Sequence, residues 1–247
     1  MKQMRHSIVT LFALTLIAGC GGGGGASPPP PPPPAAPTAA EQLALDLEGL
    51  SLEEFYDASY AALTYRSPES IIWNALTGVY PLDSVGLDDL SDAYQRETFT
   101  LYQVVLDALR SYDRGSLSSG DQLSYDFYEW FLGDRLDRLE FIYHDFVATF
   151  NVFGLPSNTE RFFTDIHPLT SLQDAEDYVT RLDAVLGKFR QIVDHLTLQS
   201  GAGIVEPRLT LDVAVSGLGR IADTDATDVS YYTSFRHRLD QVPGLSS

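Results

Sequence analysis

The chain has 247 residues, 44% of them hydrophobic, and sets 34 acidic side chains against 16 basic ones for a formal net charge of −18. A polyanion of this kind is repelled by phosphate backbones, which excludes nucleic acid as a partner. The one cysteine, Cys20, excludes an internal disulfide and a thiolate-ligated zinc cluster, so a metal would need histidine or carboxylate ligands.

Residues 1–19 read as a lipoprotein signal peptide. Lys2 and Arg5 precede an apolar run from Ile8 to Ile17, too short to span about 30 Å of hydrocarbon but suited to a secretory leader. The run ends at Ile17-Ala18-Gly19-Cys20, which resembles a bacterial lipobox and assigns Cys20 to lipidation. Residues 20–40 form a Gly/Pro-rich linker with Gly21 to Gly25 and Pro28 to Pro34, expected to be a disordered spacer. The membrane, reached through the Cys20 anchor, is the expected partner. No acidic residue follows Cys20, so the expected place is the cell envelope, at the outer membrane and facing periplasm or cell surface.

From residue 41 onward the apolar spacing is helical, which predicts an all-α, irregular multi-helix body over 41–247. Ser51-Leu52-Glu53-Glu54 is a capping-box pattern leading into Phe55, Tyr56, Tyr60 and Leu63. Ser67-Pro68-Glu69 opens a second helix carrying Ile71, Ile72, Trp73 and Leu76, with Gly78 as its stop. A longer helix is predicted over 89–112 and a partner from Ser119, the two forming a hairpin. In the partner, Leu123, Phe127, Trp130, Phe131, Leu139 and Ile142 are expected to face the core. Periodicity lapses from His144 to Leu169, leaving a loop with a short helix near 159–163. Ser171-Leu172-Gln173-Asp174 then opens the clearest helix, whose apolar series runs from Leu172 through Val179, Leu186 and Val193 to Leu196. Two more helices are expected, from Pro207 to about Leu218 and around 231–239.

Motifs that suggest chemistry fail on inspection. Gly217-Leu218-Gly219-Arg220-Ile221-Ala222 mimics a dinucleotide-binding turn, but no alternating strands surround it and no acid stands about 20 residues beyond. The run Asp223 to Asp228 lacks the glycine and the closing glutamate of a calcium loop. The body's histidines, His144, His167, His195 and His237, include no i,i+4 pair, so H-E-x-x-H is absent. The aromatic set Trp130, Phe131, Phe141, Phe146, Phe150, Phe153, Phe162 and Phe163 reads as core around a helix–loop junction.

Four segments carry a family likeness: Leu123-Ser124-Tyr125-Asp126, Ile166-His167-Pro168-Leu169, the helix Asp174 to Leu182, and Gly203-Ile204-Val205-Glu206-Pro207-Arg208. In order and spacing they resemble the bacterial domain of unknown function 885 family, over roughly Leu52 to Ser247. The resemblance implies a largely helical, secreted or lipid-anchored protein similar to zinc metallopeptidases acting on peptides. It also implies that the zinc motif lies in a C-terminal half that this sequence does not contain. No catalytic, cofactor-binding or metal residue is therefore assigned, no cofactor is expected in this chain, and His167, Tyr178 and Arg181 take structural roles. The expected function is an inactive N-terminal portion of such a protein. The alternative is a complete, non-catalytic surface lipoprotein serving as a binding or scaffold module.

Overall fold

The computed structural model describes residues 36–145, 147, 154–242 and 244. The leader, Cys20, residues 20–35 of the linker, and Phe146, Phe150 and Phe153 of the aromatic set lie outside them. Among the described residues there are nine α-helices and no strand, the all-α body that the periodicity predicts. They are α1 (Ala39–Leu47), α2 (Leu52–Thr64), α3 (Pro68–Trp73), α4 (Asp92–Leu109), α5 (Ser119–Asp137), α6 (Leu155–Arg161), α7 (Leu172–Gly201), α8 (Arg208–Ala222) and α9 (Ser230–Leu239).

Capping chemistry sets the helix starts. Thr38 and Glu41 close a reciprocal capping box, so α1 begins at Ala39, two residues inside the stretch read as linker. Ser51 and Glu54 do the same for α2, while the hydroxyls of Ser67, Ser91 and Ser171 accept the first free amides of α3, α4 and α7. The cap of α5 is Ser118 rather than Ser119, because Asp121 three residues on supplies the acid that its hydroxyl meets at 2.7 Å.

Helix α3 stops at Trp73, short of Gly78. Ala75 takes a left-handed conformation (φ 55°), the amide of Leu76 reaches back to the Ile71 carbonyl at 2.9 Å, and that of Ala75 to Ile72 at 3.0 Å. This is a Schellman closure with alanine where glycine is the usual occupant, a stop with no glycine or proline to announce it.

Helices α1, α2, α4 and α5 pack around one core containing Leu43, Leu47, Phe55, Val105, Leu109, Tyr125 and Leu132. The hairpin of α4 and α5 is as expected, but α5 is rotated from the expected facing. Leu123, Phe127 and Trp130 are 72%, 63% and 63% exposed, whereas Tyr125 and Leu132 are buried. Two features hold this rotation: the Tyr128 hydroxyl meets Ser59 Oγ at 3.0 Å, and Arg110 and Arg114 pair with Glu129 and Asp126. The stripe of Tyr125, Tyr128 and Leu132, with the Tyr128 hydroxyl paired, has displaced the more apolar one.

A second core joins Ile72, Phe162, Phe163 and Tyr178, with Phe235 of α9 packed against it. Residues Phe162–Ile166 extend α6 by a π turn, closed by the His167 amide on the Phe162 carbonyl at 2.7 Å. Arg238 and Ser234 satisfy the carbonyls which that turn frees, at Phe163, Thr164 and His167. Beyond Asp137, Leu139 and Ile142 belong to a 3-10 segment and a turn rather than to α5.

Ala75 is exposed and in a backbone region that costs an L-residue about 1 kcal/mol. Ala75→Gly should therefore raise the unfolding free energy by roughly 1 kcal/mol in urea titration, whereas Ala75→Val should lower it.

Candidate functional site

A 30-residue helix can bury polar side chains along one line if their partners are brought to it. On α7 the buried side chains include Arg181, Lys188 and His195, 4%, 4% and 5% exposed. They are spaced seven residues apart, so two turns of 3.6 residues return each to nearly the same azimuth. Each meets a different environment.

Arg181 donates through its Nη1 to His167 Nε2 at 2.7 Å and through Nε to the Gly86 carbonyl at 3.2 Å, with Asp177 3.9 Å away. A guanidinium has no acceptor, so His167 Nε2 must be unprotonated and Nδ1 carries the proton that Pro168's carbonyl accepts at 2.7 Å. His167 is fully buried, stacks on Phe163 and meets Tyr178 edge-on. Burial lowers its pKa to about 4, and the positive charges of Arg181 and Arg238 act in the same direction. The three residues read as structural from the sequence thus converge on one aromatic, uncharged-histidine cluster.

Lys188 is gripped by both oxygens of Glu69, at 2.6 and 2.7 Å. Glu69 and Asp88 are interlocked: each carboxylate accepts the other's backbone amide at 2.9 Å, and Asp88 also accepts from Ser67 Oγ at 2.7 Å. Burial, and then the neighbouring Glu69 carboxylate, raise the pKa of Asp88. One turn on, Gln191 accepts the Leu90 amide at 2.8 Å and donates to Asp89 at 2.9 Å. The inner line of α7 is therefore a rail on which the extended stretch 86–91 is laid.

His195 ends the line differently. Its Nε2 is buried with no hydrogen-bond partner, and its ring sits edge-on to Tyr143 at 5.7 Å. Burial lowers its pKa, with Asp145 and Asp92 partly opposing, so the ring is neutral at pH 7. Beside it opens a cavity of about 400 Å³ walled by Leu90, Ile142, Val147, Leu155 and Ile192, with Gln95, Asp145 and His195 as its polar members.

Among the described residues no three His, Cys, Asp or Glu side chains stand together so as to hold a metal ion. The described residues form no cluster that fits a metal ion, and no chemistry through zinc is assigned to them. Sequence reading takes Glu69 only as part of a helix start, gives Asp88, Lys188 and Gln191 no role, and weighs His195 only as lacking an i,i+4 partner. The signal that points to Lys188 is the seven-residue repeat of Arg181, Lys188 and His195 along the helix.

Two outcomes are expected from this geometry. Lys188→Met leaves the largely buried Glu69 carboxylate without its counter-charge and should cost about 3–5 kcal/mol in chemical denaturation, whereas Lys188→Met with Glu69→Gln should cost much less. His167, depressed to about 4 from an ordinary 6.5, binds its proton more tightly when the chain is unfolded. Its contribution is complete above pH 6.5 and is lost as pH falls toward 4, up to about 3 kcal/mol. Urea titrations across that range should show this limb, flattened in His167→Gln, where the amide oxygen still accepts from Arg181.

No curated protein and no solved structure matches the chain. The family described as "Bacterial protein of unknown function (DUF885)" matches residues 72–246, a span that takes in the 86–91 stretch, the α7 rail and α9. The chain belongs to this family of bacterial proteins.

Proposed function

We propose that this chain is the helical N-terminal portion of a lipid-anchored, zinc-metallopeptidase-like envelope protein, inactive by itself, with α7 and α8 forming one wall of a cleft. In this reading Cys20 holds the protein to the membrane, peptides are the ligands of the whole protein, and zinc belongs to a half outside this sequence.

The observation that carries the reading is the outward face of the two C-terminal long helices. Leu172, Val179, Leu186 and Val193 recur every seven residues on α7 and are 48–61% exposed, although the sequence marks them as core. On α8, Leu209 and Val215 are 77% and 71% exposed. An aliphatic row four residues long on one helix is surface that a finished fold keeps covered. The scaffold-module alternative draws on the other end of the chain, where α1, α2, α4 and α5 close a complete core of their own.

The test is the intact mass of the native protein in its source membrane, detected with an antibody against the α7 segment, with and without globomycin. A species well above the mass of the 247-residue chain that shifts to a heavier precursor with globomycin is the expected result. A species of the short chain's mass would overturn the missing-half reading in favour of the module, and processing unaffected by globomycin would overturn the lipid anchor.

A further inference from the structure

The cavity beside His195 borders the 86–91 stretch at Leu90, and its chemistry is selective. Its five aliphatic walls suit a hydrocarbon body. Its polar groups are chiefly acceptors. The Asp145 carboxylate stands exposed at the rim, the Gln95 amide nitrogen is already committed to the Leu90 carbonyl at 2.8 Å, and among the described residues no lysine or arginine lines the space. An anion would meet Asp145 without a counter-charge. His195 is 5% exposed, and its partnerless Nε2 is hydrogen-bonding capacity that the fold leaves unfilled, a costly arrangement for a buried group.

We propose that this cavity binds a small aliphatic ligand bearing a protonated primary amine, whose ammonium donates to Asp145 and to the partnerless ring nitrogen of His195 while its hydrocarbon lies against Leu155 and Ile192. A free alkylamine and the amino terminus of a peptide that begins with an aliphatic residue share this chemistry. The inference is independent of the metallopeptidase reading and stands or falls on the described residues.

The test is a titration of the full chain at pH 7, with labelled histidine rings followed by NMR, using isopentylamine, leucinamide and isovalerate. The first two share the branched hydrocarbon and the ammonium, and the third replaces the ammonium with a carboxylate. The His195 signals should shift saturably with the amines and not with isovalerate. Asp145→Asn should weaken amine binding roughly tenfold with the melting midpoint unchanged. Leucinamide binding more tightly than isopentylamine identifies a peptide terminus as the source; isopentylamine binding at least as tightly identifies a free amine. Because Asp145 is exposed, its variant tests charge without disturbing the core, and Leu155→Phe, which narrows the cavity, provides an independent check through reduced amine affinity. The proposal is overturned if isovalerate binds as well as the amines, if no saturable shift appears at His195, or if both variants bind amine undiminished.

Discussion

The ion pair between Lys188 and Glu69 decides how the C-terminal part of this chain is arranged. An ammonium with 3% of its side chain exposed is tolerable only where a carboxylate accepts it, and Glu69, 119 residues earlier, is that carboxylate. Hydrophobicity alone leaves the rotation of α7 open, since apolar residues lie around most of its circumference. Seating Lys188 inward settles the rotation, and with it Arg181 and Gln191 come to the backbone of residues 86–91. The mutual amide-to-carboxylate bonds of Glu69 and Asp88 then tie the start of α3 to the same stretch. Helices far apart in sequence are thus held by polar contacts whose partners are fully specified, which gives them a unique register that interchangeable aliphatic packing does not give.

What was legible in the sequence follows from the range of the interactions involved. Helix starts at Ser51, Ser67 and Ser171 were readable because a cap and its amide lie within three residues of one another. The long helix from Ser171 was readable for its length. The buried faces of α5 and α7 were not, because each helix carries two stripes and the choice between them is made by distant groups: Ser59 for α5, Glu69 for α7. The end of α3 was illegible for a local reason, since an alanine in left-handed conformation has no signature in the sequence. The structural parts assigned to His167, Tyr178 and Arg181 agree with the cluster they form, but the Glu69, Asp88 and Lys188 knot beside it needed the fold to become visible.

The molecule therefore divides its labour between its two ends. The N-terminal helices satisfy themselves around Phe55, with the aromatic rings of Tyr56, Tyr112 and Tyr128 set against it. Along α7 the inner line pairs Arg181 and Lys188 and leaves the aliphatic row of Leu172, Val179, Leu186 and Val193 exposed.

The π turn at residues 162–166 gives the chain a particular sensitivity to insertions and deletions. It holds one residue more than an α-helical turn would, and that extra residue sets the azimuth of everything that follows it. Loss of a single residue there would restore regular α-helical bonding, so the backbone would tolerate it locally. The same loss would swing His167 by about 100°, away from Arg181 and out of its aromatic box. Descendants of this sequence can thus exchange side chains within the segment more freely than they can change its length.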